Sequence, residues 1–501
     1  MNLMMLLEMA SGSMGERVAF VNGDDRLTYA ELFESAGRAA HALRESGADH
    51  LAFLDESSLS VPLGVFASAW AGKPFVPLNY RLTGSELESL LAQIAPSQLV
   101  AGEERVDSLS SLESAQVLGR GDFLSKSRDA GAPSLDHEWS MDPEDIAILL
   151  FTSGTTGPPK AAVIRHKHLV SYILGSVEFM SADEEDASLV CVPPYHIAGM
   201  ASVASSVYSG RRVVQLPNFT AEAWLELARK EKVTHAMVVP TMLARIIETL
   251  EGESDADLPH LRALSYGGGK MPQAVIERAL ELFPETQFAN AYGLTETSST
   301  ISILGPDDHR VAMQSEDPKV RRRLTSVGQP LPLLEVEIRD EDGKAVGPNE
   351  RGEIFVRGEQ VSGEYLGKGS QLLDDGFFPT RDGGSMDEEG YLFIEGRIDD
   401  IIVRGGENMS PGEIEDTLLE HAAVADAAVV GLPDEQWGEK VSAVVVLKAG
   451  VEATESELQD FVKERLRSSR TPEEIGFWPE LPYNETGKLL RRKVRSELMA
   501  G

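Results

Sequence analysis

The sequence predicts an α/β fold with a large N-terminal domain of layered α/β subdomains, a small β subdomain and an α+β C-terminal domain. The chain has 501 residues, which is too many for one ordinary core. Short apolar runs alternate with helical stretches up to about residue 327, as is typical of layers around a largely parallel sheet. Short strands with glycine-rich turns follow, and a polar joint lies at residues 396–400. We therefore expect domains at 1–398 and 399–501, with the β subdomain at about 327–398.

Capping boxes and helical periodicity mark the helices. Thr28 with Glu31, and Thr83 with Glu86, have the spacing of capping boxes. Apolar residues at helical spacing follow Thr28, and Gly47 ends that run. Pro411 after Ser410 indicates the first turn of a helix in the C-terminal domain. Further helices are expected at residues 221–230, 241–250 and 455–467.

Short apolar runs predict the strands. Buried strands are expected at residues 146–151, 189–192, 236–239 and 263–266, and strands of the β subdomain at residues 336–338, 352–357 and 391–395. Two more strands, at residues 427–430 and 441–447, are expected in the C-terminal domain. Because ligands of such folds collect at the carboxyl ends of parallel strands, we expect the functional site there.

The composition favours a folded, acidic protein. Hydrophobic residues make up 42% of the chain and charged residues 25%. The chain has 46 Lys and Arg against 81 Asp and Glu, a formal charge of -35, which repels nucleic acid and anionic lipid headgroups. A basic run at residues 319–323 follows Glu316 and Asp317 and is expected to be a solvated loop. We expect no nucleic-acid partner, and anionic substrates would need local cationic sites.

Nothing in the sequence indicates export or membrane insertion. Cys191 is the only cysteine and lies in an apolar run, so we expect a buried residue and no intrachain disulfide. The apolar residues 1–10 lack a basic n-region, and no run approaches the roughly 18 apolar residues of a membrane span. We therefore expect a cytoplasmic protein without a membrane span.

One loop has the composition of a phosphate-binding site. It follows the predicted strand at residues 146–151 and reads Thr152-Ser153-Gly154-Thr155-Thr156-Gly157-Pro158-Pro159-Lys160. Gly154 and Gly157 let backbone N–H groups approach an anion, and four hydroxyls with Lys160 add donors. It is not a Walker A loop, whose lysine follows a glycine. The alternative is a flexible Ser/Thr/Gly turn.

This loop resembles the phosphate loop of the adenylate-forming superfamily of acyl-CoA synthetases, adenylation domains and luciferases, and is most similar to aryl- and fatty-acyl-CoA ligases. Further segments resemble the family's motifs in the same order over nearly the whole chain. They are Val192-Pro193-Pro194-Tyr195-His196-Ile197-Ala198-Gly199 (acyl pocket), Tyr266-Gly267-Gly268-Gly269 (adenine side), Asn290-Ala291-Tyr292-Gly293-Leu294-Thr295-Glu296 (nucleotide and magnesium), Thr380-Arg381-Asp382 with Gly396-Arg397 (ribose), Arg404-Gly405-Gly406-Glu407-Asn408 (CoA tunnel) and Thr486-Gly487-Lys488 (catalytic lysine).

The resemblance implies an ATP-dependent, AMP-forming carboxylic acid:CoA ligase that uses ATP, Mg²⁺ and CoA. Such an enzyme makes an acyl-adenylate with release of pyrophosphate, and its mobile C-terminal domain then rotates for thioester formation. Homodimers are common in the family. The implied acid is aryl or aliphatic, because residues 196–204 offer no carboxylate for an amino group. Gly268 and Gly269 leave space for a bulky or long apolar acid.

The resemblance also implies a role for each matching residue. The catalytic residues are Lys488, His196, Thr295 and Glu296, and Glu296 is the Mg²⁺ ligand. Asp382 and Arg397 belong to the ribose site, and Asp399 is the hinge. The nucleotide contacts are Thr152, Ser153, Gly154, Thr155, Thr156, Gly157, Lys160, Gly267, Gly268, Gly269, Asn290, Ala291, Tyr292 and Gly293, and the CoA contacts are Gly405, Gly406, Trp437, Arg81 and Arg470.

Two departures from the family pattern keep other functions open. Ala161 replaces a usual glycine, and Arg381 stands where Thr-Gly-Asp is commoner. These changes allow a half-enzyme that only converts a preformed acyl-adenylate into a thioester. A stand-alone enzyme that loads a carrier protein is a second alternative, although we expect no carrier segment after Lys488. An inactive nucleotide-binding protein is the third, and luciferase-type oxygenation is conceivable as a side activity.

Overall fold

The structure is a computed structural model that describes residues 1–152, 159–484 and 488–500. It divides into two compact units. The first contains Met1–Leu324, Pro330–Glu335 and Arg357–Phe378, and the second contains Thr325–Gln329, Val336–Val356 and Pro379–Gly501. Most of the predicted β subdomain therefore groups with the C-terminal part of the chain, and the boundary at residue 398 stays a prediction. The predicted α/β class is confirmed.

Two large sheets form the first unit. One has nine strands, eight of which lie wholly in the unit in the order Ser299–Leu304, Gln287–Leu294, Ala263–Gly267, His235–Val238, Ala187–Val190, Arg212–Gln215, Val18–Asn22, Asp25–Thr28. The other has eight strands in the order Gly369–Ser370, Glu364–Tyr365, Lys160–Arg165, Ile146–Thr152, Phe75–Pro77, His50–Leu54, Ser97–Ala101, Ala115–Gly119. The four predicted buried strands are all present. Pairing is mostly parallel at the sheet centres.

Helices pack against these sheets. The α-helices of the first unit are Met4–Met14, Tyr29–Ser46, Ser60–Ala71, Gly84–Gln93, Glu103–Leu109, Arg120–Arg128, His166–Ser176, Ile197–Ser209, Ala221–Lys230, Pro240–Thr249, Gln273–Leu282, Pro306–Gln314 and Pro318–Arg321. Trp70 and Trp224 are among the largest fully buried side chains. Cys191 is buried, as expected.

Two smaller sheets belong mainly to the second unit. The first has the order Glu335–Arg339, Gly352–Arg357, Phe378–Met386, Leu392–Arg397. The second has the order Glu407–Met409, Ile402–Arg404, Gly438–Leu447, Val424–Asp434, and Glu474–Phe477 also pairs with Gly438–Leu447. The helices here are Pro411–Leu419, Glu455–Arg465 and Arg491–Ala500, with short 3₁₀ turns at Ile398–Asp400 and Ser468–Arg470. The strand Gln329–Pro330 and the 3₁₀ turn Arg322–Thr325 each contain residues assigned to both units.

Local capping explains some helix starts and corrects others. Thr28 and Glu31 form the predicted capping box, and Gly47 ends the helix with φ +71°. Thr83 makes no capping hydrogen bond. Gly84 has φ +55°, and this left-handed residue separates Thr83 from the helical path. The second capping box is therefore wrong, although the helix is present.

The C-terminal helix start and the basic run also differ from expectation. Pro411 is in the first turn as predicted, but the hydroxyl of Ser410 donates to Glu395 O at 2.7 Å and not to the helix. The run at residues 319–323 is not a loop, because it contains the end of the helix Pro318–Arg321. Arg321 pairs with Glu277 at 2.6 Å, which explains its orientation. Within the described ranges, no helix is both long enough and apolar enough to span a membrane.

Candidate active site

The two ends of the predicted phosphate loop lie side by side. Thr152 ends one strand and Lys160 begins the next, and the two residues are antiparallel partners. The Thr152 hydroxyl donates to Lys160 O at 3.4 Å. Ser153, Gly154, Thr155, Thr156 and Gly157 lie outside the described residues. Lys160 is therefore held at the base of the loop. Ala161 is a buried strand residue opposite Phe151, where a methyl group fits.

Two neighbouring parallel strands carry the glycine motif and the nucleotide motif. Gly267 is the register partner of Ala291. A Cβ at Gly267 would lie 2.2 Å from Ala291 O, so a side chain is excluded there. Gly268 has φ +83°, which glycine adopts without strain. Asn290 is buried and Tyr292 half-buried on the second strand. The predicted adenine-side glycine turn and the nucleotide motif thus lie side by side where the strand Ala263–Gly267 ends.

Glu296 lies in a tight, strained turn, which we call the Glu296 turn (residues 295–300). A 3₁₀ helix, Thr295–Thr297, begins it, and Ser298 and Ser299 follow with φ +55° and +115°. Non-glycine residues rarely adopt these φ values, and such strain persists only where the surroundings impose it. The side chains of Thr295 and Glu296 are half-buried, so both remain accessible to a ligand.

The turn is held partly by its own Thr297 hydroxyl and partly by residues 360–365, which we call the anchor segment. The Gln360 side-chain amide donates to Thr297 O at 3.0 Å and to Thr300 O at 2.8 Å. The backbone N–H groups of Ser362 and Gly363 donate to Glu296 O at 2.8 and 3.2 Å. The Ser362 hydroxyl donates to the same oxygen at 3.1 Å, so five hydrogen bonds from the anchor segment hold the backbone of the Glu296 turn.

Tyr365, the last residue of the anchor segment, contacts the Glu296 side chain. Its hydroxyl donates to Glu296 Oε1 at 2.6 Å. Its ring centroid lies 5.5 Å from Lys160 Nζ, within the range of a cation–π interaction. Tyr365 therefore links the lysine of the phosphate loop to the predicted metal-binding carboxylate. Sequence reasoning missed both Tyr365 and Gln360.

His196 immediately precedes the helix Ile197–Ser209, next to Tyr195. Burial lowers the pKa of His196 to about 4, so the imidazole is neutral at pH 7. Within the described part of the chain, His196 Nε2 and the Tyr195 hydroxyl are buried without hydrogen-bond partners. Their ring centroids are 4.6 Å apart. Buried polar atoms of this kind are suited to a polar group of a substrate.

The Tyr195 ring also connects this pair to a predicted CoA contact. The Tyr80 ring lies 5.6 Å from that of Tyr195, and the Arg81 guanidinium lies 5.3 Å from the Tyr80 ring. The Arg81 residue is exposed. The structure therefore brings Arg81 into one aromatic cluster with the His196 segment.

In the second unit, the predicted ribose residues are paired. Arg397 Nη1 donates to Asp382 Oδ1 at 3.0 Å, and the two residues are partners on adjacent strands. Asp382 is only 6% exposed, and its backbone N–H donates to the Thr380 hydroxyl. The carboxylate is thus oriented by a guanidinium and by its own strand.

The predicted hinge residue Asp399 is exposed in the 3₁₀ turn Ile398–Asp400. It forms an ion pair with Arg381, the residue that replaces the usual glycine. Arg381 has φ +63°, so an arginine occupies a conformation that glycine adopts more easily. The arginine that departs from the family's sequence pattern is therefore also a site of backbone strain.

The predicted CoA-tunnel loop is a two-residue turn between Ile402–Arg404 and Glu407–Met409. Gly405 and Gly406 have φ +58° and +82°, the values that favour glycine in tight hairpins. Gly405 N–H donates to Trp437 O at 2.7 Å, and Trp437 is 45% exposed. The turn and the tryptophan therefore present one surface.

Arg470 is engaged elsewhere than expected. Its Nη1 donates to Glu407 Oε1 at 2.7 Å and its Nε to Glu413 Oε2 at 2.8 Å, with the side chain 11% exposed. Two carboxylates around one guanidinium repel an added phosphate. The Arg470 guanidinium thus supports Glu407, in the strand after Gly406, and its contact with CoA stays a prediction.

Lys488 is exposed, and its backbone is hydrogen-bonded to Asn484. Asn484 N–H donates to Lys488 O at 2.9 Å, and Lys488 N–H donates to Asn484 Oδ1 at 2.8 Å. Thr486 and Gly487 lie outside the described residues. Burial raises the pKa of Asp400, and the positive charges of Arg491 and Lys488 oppose that rise. Lys488 is thus within electrostatic range of Asp400, and its ammonium group is accessible.

Comparisons with known proteins show similarity over nearly the whole chain. The family model described as AMP-binding enzyme matches residues 7–366, and the model of the AMP-binding enzyme C-terminal domain matches residues 413–488. The chain is 32% identical to the fatty acid–[acyl-carrier-protein] ligase ScoC of Streptomyces coeruleorubidus, over 94% of this chain and 91% of the relative. It is 31% identical to a feruloyl-CoA synthase of Amycolatopsis, over 95% and 94%.

Solved structures are similar over the same length. The o-succinylbenzoate CoA synthetase of Bacillus subtilis in complex with its acyl-adenylate intermediate has a TM-score of 0.85 and 29% identity, covering 98% of this chain and 97% of that one. Its complex with ATP and magnesium has a TM-score of 0.84 and 30% identity, covering 97% and 98%. Since one family model matches more than half of the chain and relatives above 30% identity cover nearly all of it, this protein belongs to the AMP-binding enzyme family.

Proposed function

We propose that this protein is an ATP-dependent carboxylic acid:CoA ligase that forms an acyl-adenylate and then an acyl-CoA thioester. The observation that carries the proposal is the convergence of Lys160, at the base of the phosphate loop, and the Glu296 carboxylate on Tyr365. A cation and a carboxylate at one point suit a triphosphate and its metal ion. The similarity over at least 94% of the chain to ligases of carboxylic acids supports the same reaction.

The chemistry explains why ATP is needed. A thiol cannot displace oxide from a carboxylate. In the first step a carboxylate oxygen of the acid attacks the α-phosphorus of ATP, the bond to the bridging oxygen breaks, and pyrophosphate leaves with the electron pair. In the second step the CoA sulfur attacks the acyl carbon, the thiol proton is lost to solvent or a base, and AMP leaves.

The first step brings two anions together, so it depends on cations and fixed donors more than on a base. Lys160 and the phosphate loop would hold the β- and γ-phosphates. Lys488 would bridge the acid oxygen and the α-phosphate, and Thr295 would donate to a phosphate oxygen. Neutral His196 would lie beside the acyl group, and Asp382 would accept hydrogen bonds from the ribose hydroxyls.

The residues present fit a Mg²⁺ ion held jointly with ATP. Mg²⁺ is commonly bound by one or two carboxylates together with substrate phosphates and water. Glu296 offers such a carboxylate, with Oε1 already held by Tyr365. Residues 1–152, 159–484 and 488–500 contain no group of three or more His, Cys, Asp or Glu side chains that could enclose a metal ion. When bound, the ion would neutralise negative charge on the phosphates.

The second step would use the other motifs of the chain. Rotation of the C-terminal domain about Asp399 would remove Lys488 and present the turn at Gly405 and Gly406, beside Trp437, to the pantetheine arm. Arg81 would contact a CoA phosphate. This domain alternation is the family's pattern applied to the residues that match it.

We propose an aryl or aliphatic acid as substrate, held between the His196 segment and the turn at Gly268 and Gly269. The related enzymes are named for fatty, feruloyl and succinylbenzoyl substrates. Loading of a carrier protein is the second candidate, because the relative ScoC is named as a ligase for an acyl-carrier protein and is as similar as the CoA ligases. The strained Arg381 keeps the half-enzyme as a third outcome.

A product assay by mass spectrometry tests these functions together. Purified protein would be incubated with Mg-ATP, a panel of aliphatic and aryl acids, and either CoA or a phosphopantetheinylated carrier protein. Acid-dependent AMP with acyl-CoA supports the proposal, and acyl-carrier without acyl-CoA supports the second candidate. ADP as product contradicts adenylation. Acyl-CoA only from added acyl-adenylate identifies the half-enzyme, and nucleotide binding without turnover identifies an inactive protein.

A further inference from the structure

We infer that Tyr365 is a positioning residue that sets the orientation of the Glu296 carboxylate for the metal–nucleotide complex. The inference rests on the proposed function, because it assumes that Glu296 is the metal ligand. Tyr365 contacts neither the acid nor the thiol in this scheme. Its role is to act on Glu296, and it adds a residue to those implied by the motifs.

Different residues hold the backbone and the side chain of Glu296. Gln360, Ser362 and Gly363 hold the backbone of the Glu296 turn by hydrogen bonds to carbonyl oxygens. None of those bonds reaches the carboxylate. The bond of 2.6 Å from the Tyr365 hydroxyl to Oε1 does, and Oε1 is thereby occupied on one side. A half-buried glutamate without that bond would sample several rotamers.

Tyr365 is itself held in place. It lies on the strand Glu364–Tyr365, where it is the register partner of Ala162 in Lys160–Arg165. The neighbouring Glu364 accepts two hydrogen bonds from the Arg165 guanidinium, at 3.0 and 2.8 Å. The strand that begins with Lys160 thus fixes the residue that orients Glu296. Tyr365 places the phosphate-loop lysine and the carboxylate in a defined relation.

A hydroxyl donor suits this role. It donates one hydrogen bond without neutralising the carboxylate, so Oε2 keeps a full share of negative charge for a metal ion. Residues that hydrogen-bond a metal ligand in this way typically change metal affinity or activity by about 10- to 100-fold when removed. Tyr365→Phe removes only the hydroxyl and keeps the ring beside Lys160.

Metal binding tests the inference without turnover. Mn²⁺ would stand in for Mg²⁺, and its binding to the full chain with an α,β-methylene ATP analogue would be followed by electron paramagnetic resonance. We expect Tyr365→Phe to weaken Mn²⁺ binding about tenfold. Binding of the analogue without metal should be unchanged. In a Glu296→Gln background, the same substitution should add less than about twofold, since the carboxylate it orients is gone.

Tyr172→Phe is the matched control. The Tyr172 hydroxyl lies 3.4 Å from the Thr300 hydroxyl of the same turn and makes no hydrogen bond to Glu296 among the described residues. We expect this variant to bind Mn²⁺ as the wild type does, with a melting temperature similar to that of Tyr365→Phe. Equal Mn²⁺ affinity in Tyr365→Phe and wild type would overturn the inference, as would equal weakening in both tyrosine variants.

The two proposals fail separately. One outcome is that the wild type binds Mn²⁺ and nucleotide, Tyr365→Phe binds Mn²⁺ about tenfold more weakly, and the wild type makes no adenylate from any acid. That outcome would support the positioning role and reject the ligase. Acyl-CoA formation with the same Mg²⁺ dependence in Tyr365→Phe and wild type would support the ligase and reject the positioning role.

Discussion

Arg381 Nη2 lies 2.9 Å from Asp399 Oδ1, so an arginine with left-handed backbone geometry is tied by an ion pair to the predicted hinge. The Glu353 carboxylate accepts a hydrogen bond from the Arg381 backbone N–H at 3.0 Å. Both side chains of the ion pair are substantially exposed. An exposed pair contributes little stability, about 0–1 kcal/mol, whereas the left-handed conformation costs a non-glycine residue about 1–2 kcal/mol.

We therefore expect Arg381→Gly to be more stable than Arg381→Ala by about 1 kcal/mol, because both lose the ion pair and only glycine loses the strain. Urea unfolding of the two variants measures this difference. Equal midpoints would show that the backbone at residue 381 is not strained. Initial rates of adenylate formation in the two variants, each compared with the wild-type rate, then show whether loss of the ion pair affects the first step.

Gly267→Ala is expected to destabilise the first unit by about 3 kcal/mol, the upper end of the usual cost of overpacking, because its Cβ would lie 2.2 Å from a backbone oxygen. Gly12→Ala is the matched control, since Gly12 lies in the helix Met4–Met14 with nothing within 4 Å of the added methyl group. That control should be neutral or stabilising by about 0.5–1 kcal/mol. Thermal unfolding of both variants is the measurement. A folded, wild-type-like Gly267→Ala would contradict the close approach.

Lys488→Ala is expected to lower the rate of acyl-adenylate formation by about 100-fold or more, because a cation at the developing charge is lost. Conversion of added acyl-adenylate to acyl-CoA should remain. The control is Lys493→Ala, which removes an exposed lysine of the following helix. Rates of the two half-reactions are measured separately for each variant. Equal loss of both half-reactions in Lys488→Ala would reject its assignment to the first step.

Arg81→Ala is expected to raise the KM for CoA about tenfold while adenylation stays normal, since one charge-assisted contact would be lost. Arg278→Ala removes a surface guanidinium that pairs with Glu281, and it should leave that KM unchanged. Steady-state kinetics with varied CoA distinguish the two. An unchanged KM in Arg81→Ala would remove Arg81 from the CoA site.

The free energy of unfolding is expected to fall as the pH is lowered from about 6.5 towards 4. Burial lowers the pKa of His166, His168, His196 and His235 to about 4, from 6.5 in an unfolded chain. Between these two pKa values the unfolded state binds more protons than the folded state. Each histidine therefore lowers the free energy of unfolding by about 1.4 kcal/mol for each pH unit by which the pH falls. Burial raises the pKa of Asp55 to about 6, so its protonation stabilises the folded state as the pH falls and offsets the effect of one histidine. Urea midpoints at pH 5, 6 and 7 test this, and a rise towards pH 5 would contradict it.

Features that depend on neighbouring residues were predictable from the sequence. The Thr28 capping box and the left-handed Gly47 are local, and both are present. The pair Gly405 and Gly406 likewise indicates a tight turn by itself. The capping box predicted at Thr83 is absent for a local reason too, because the sequence pattern of a capping box does not reveal the positive φ of Gly84.

Features that depend on distant residues were not predictable. Tyr365 and Glu296 are 69 residues apart, and no spacing or periodicity connects them. The carboxylate partners of Arg470, Glu407 and Glu413, are 63 and 57 residues away, so the sequence does not show that this guanidinium is paired. Arg381 was visible as a departure, but only the backbone geometry shows that it is strained. The motifs thus predict candidate residues of the site, whereas the contacts that position those residues are visible only in the structure.

The dependence of the Glu296 turn on the anchor segment has a consequence for biosynthesis. A ribosome completes the strand Gln287–Leu294 and the turn before it has made Gln360, 60 to 63 residues later. During that interval the strained backbone at Ser298 and Ser299 has no support from these bonds. A nascent chain released before Tyr365 would contain every residue of the nucleotide motif, and yet it would lack the contacts that give Glu296 its place.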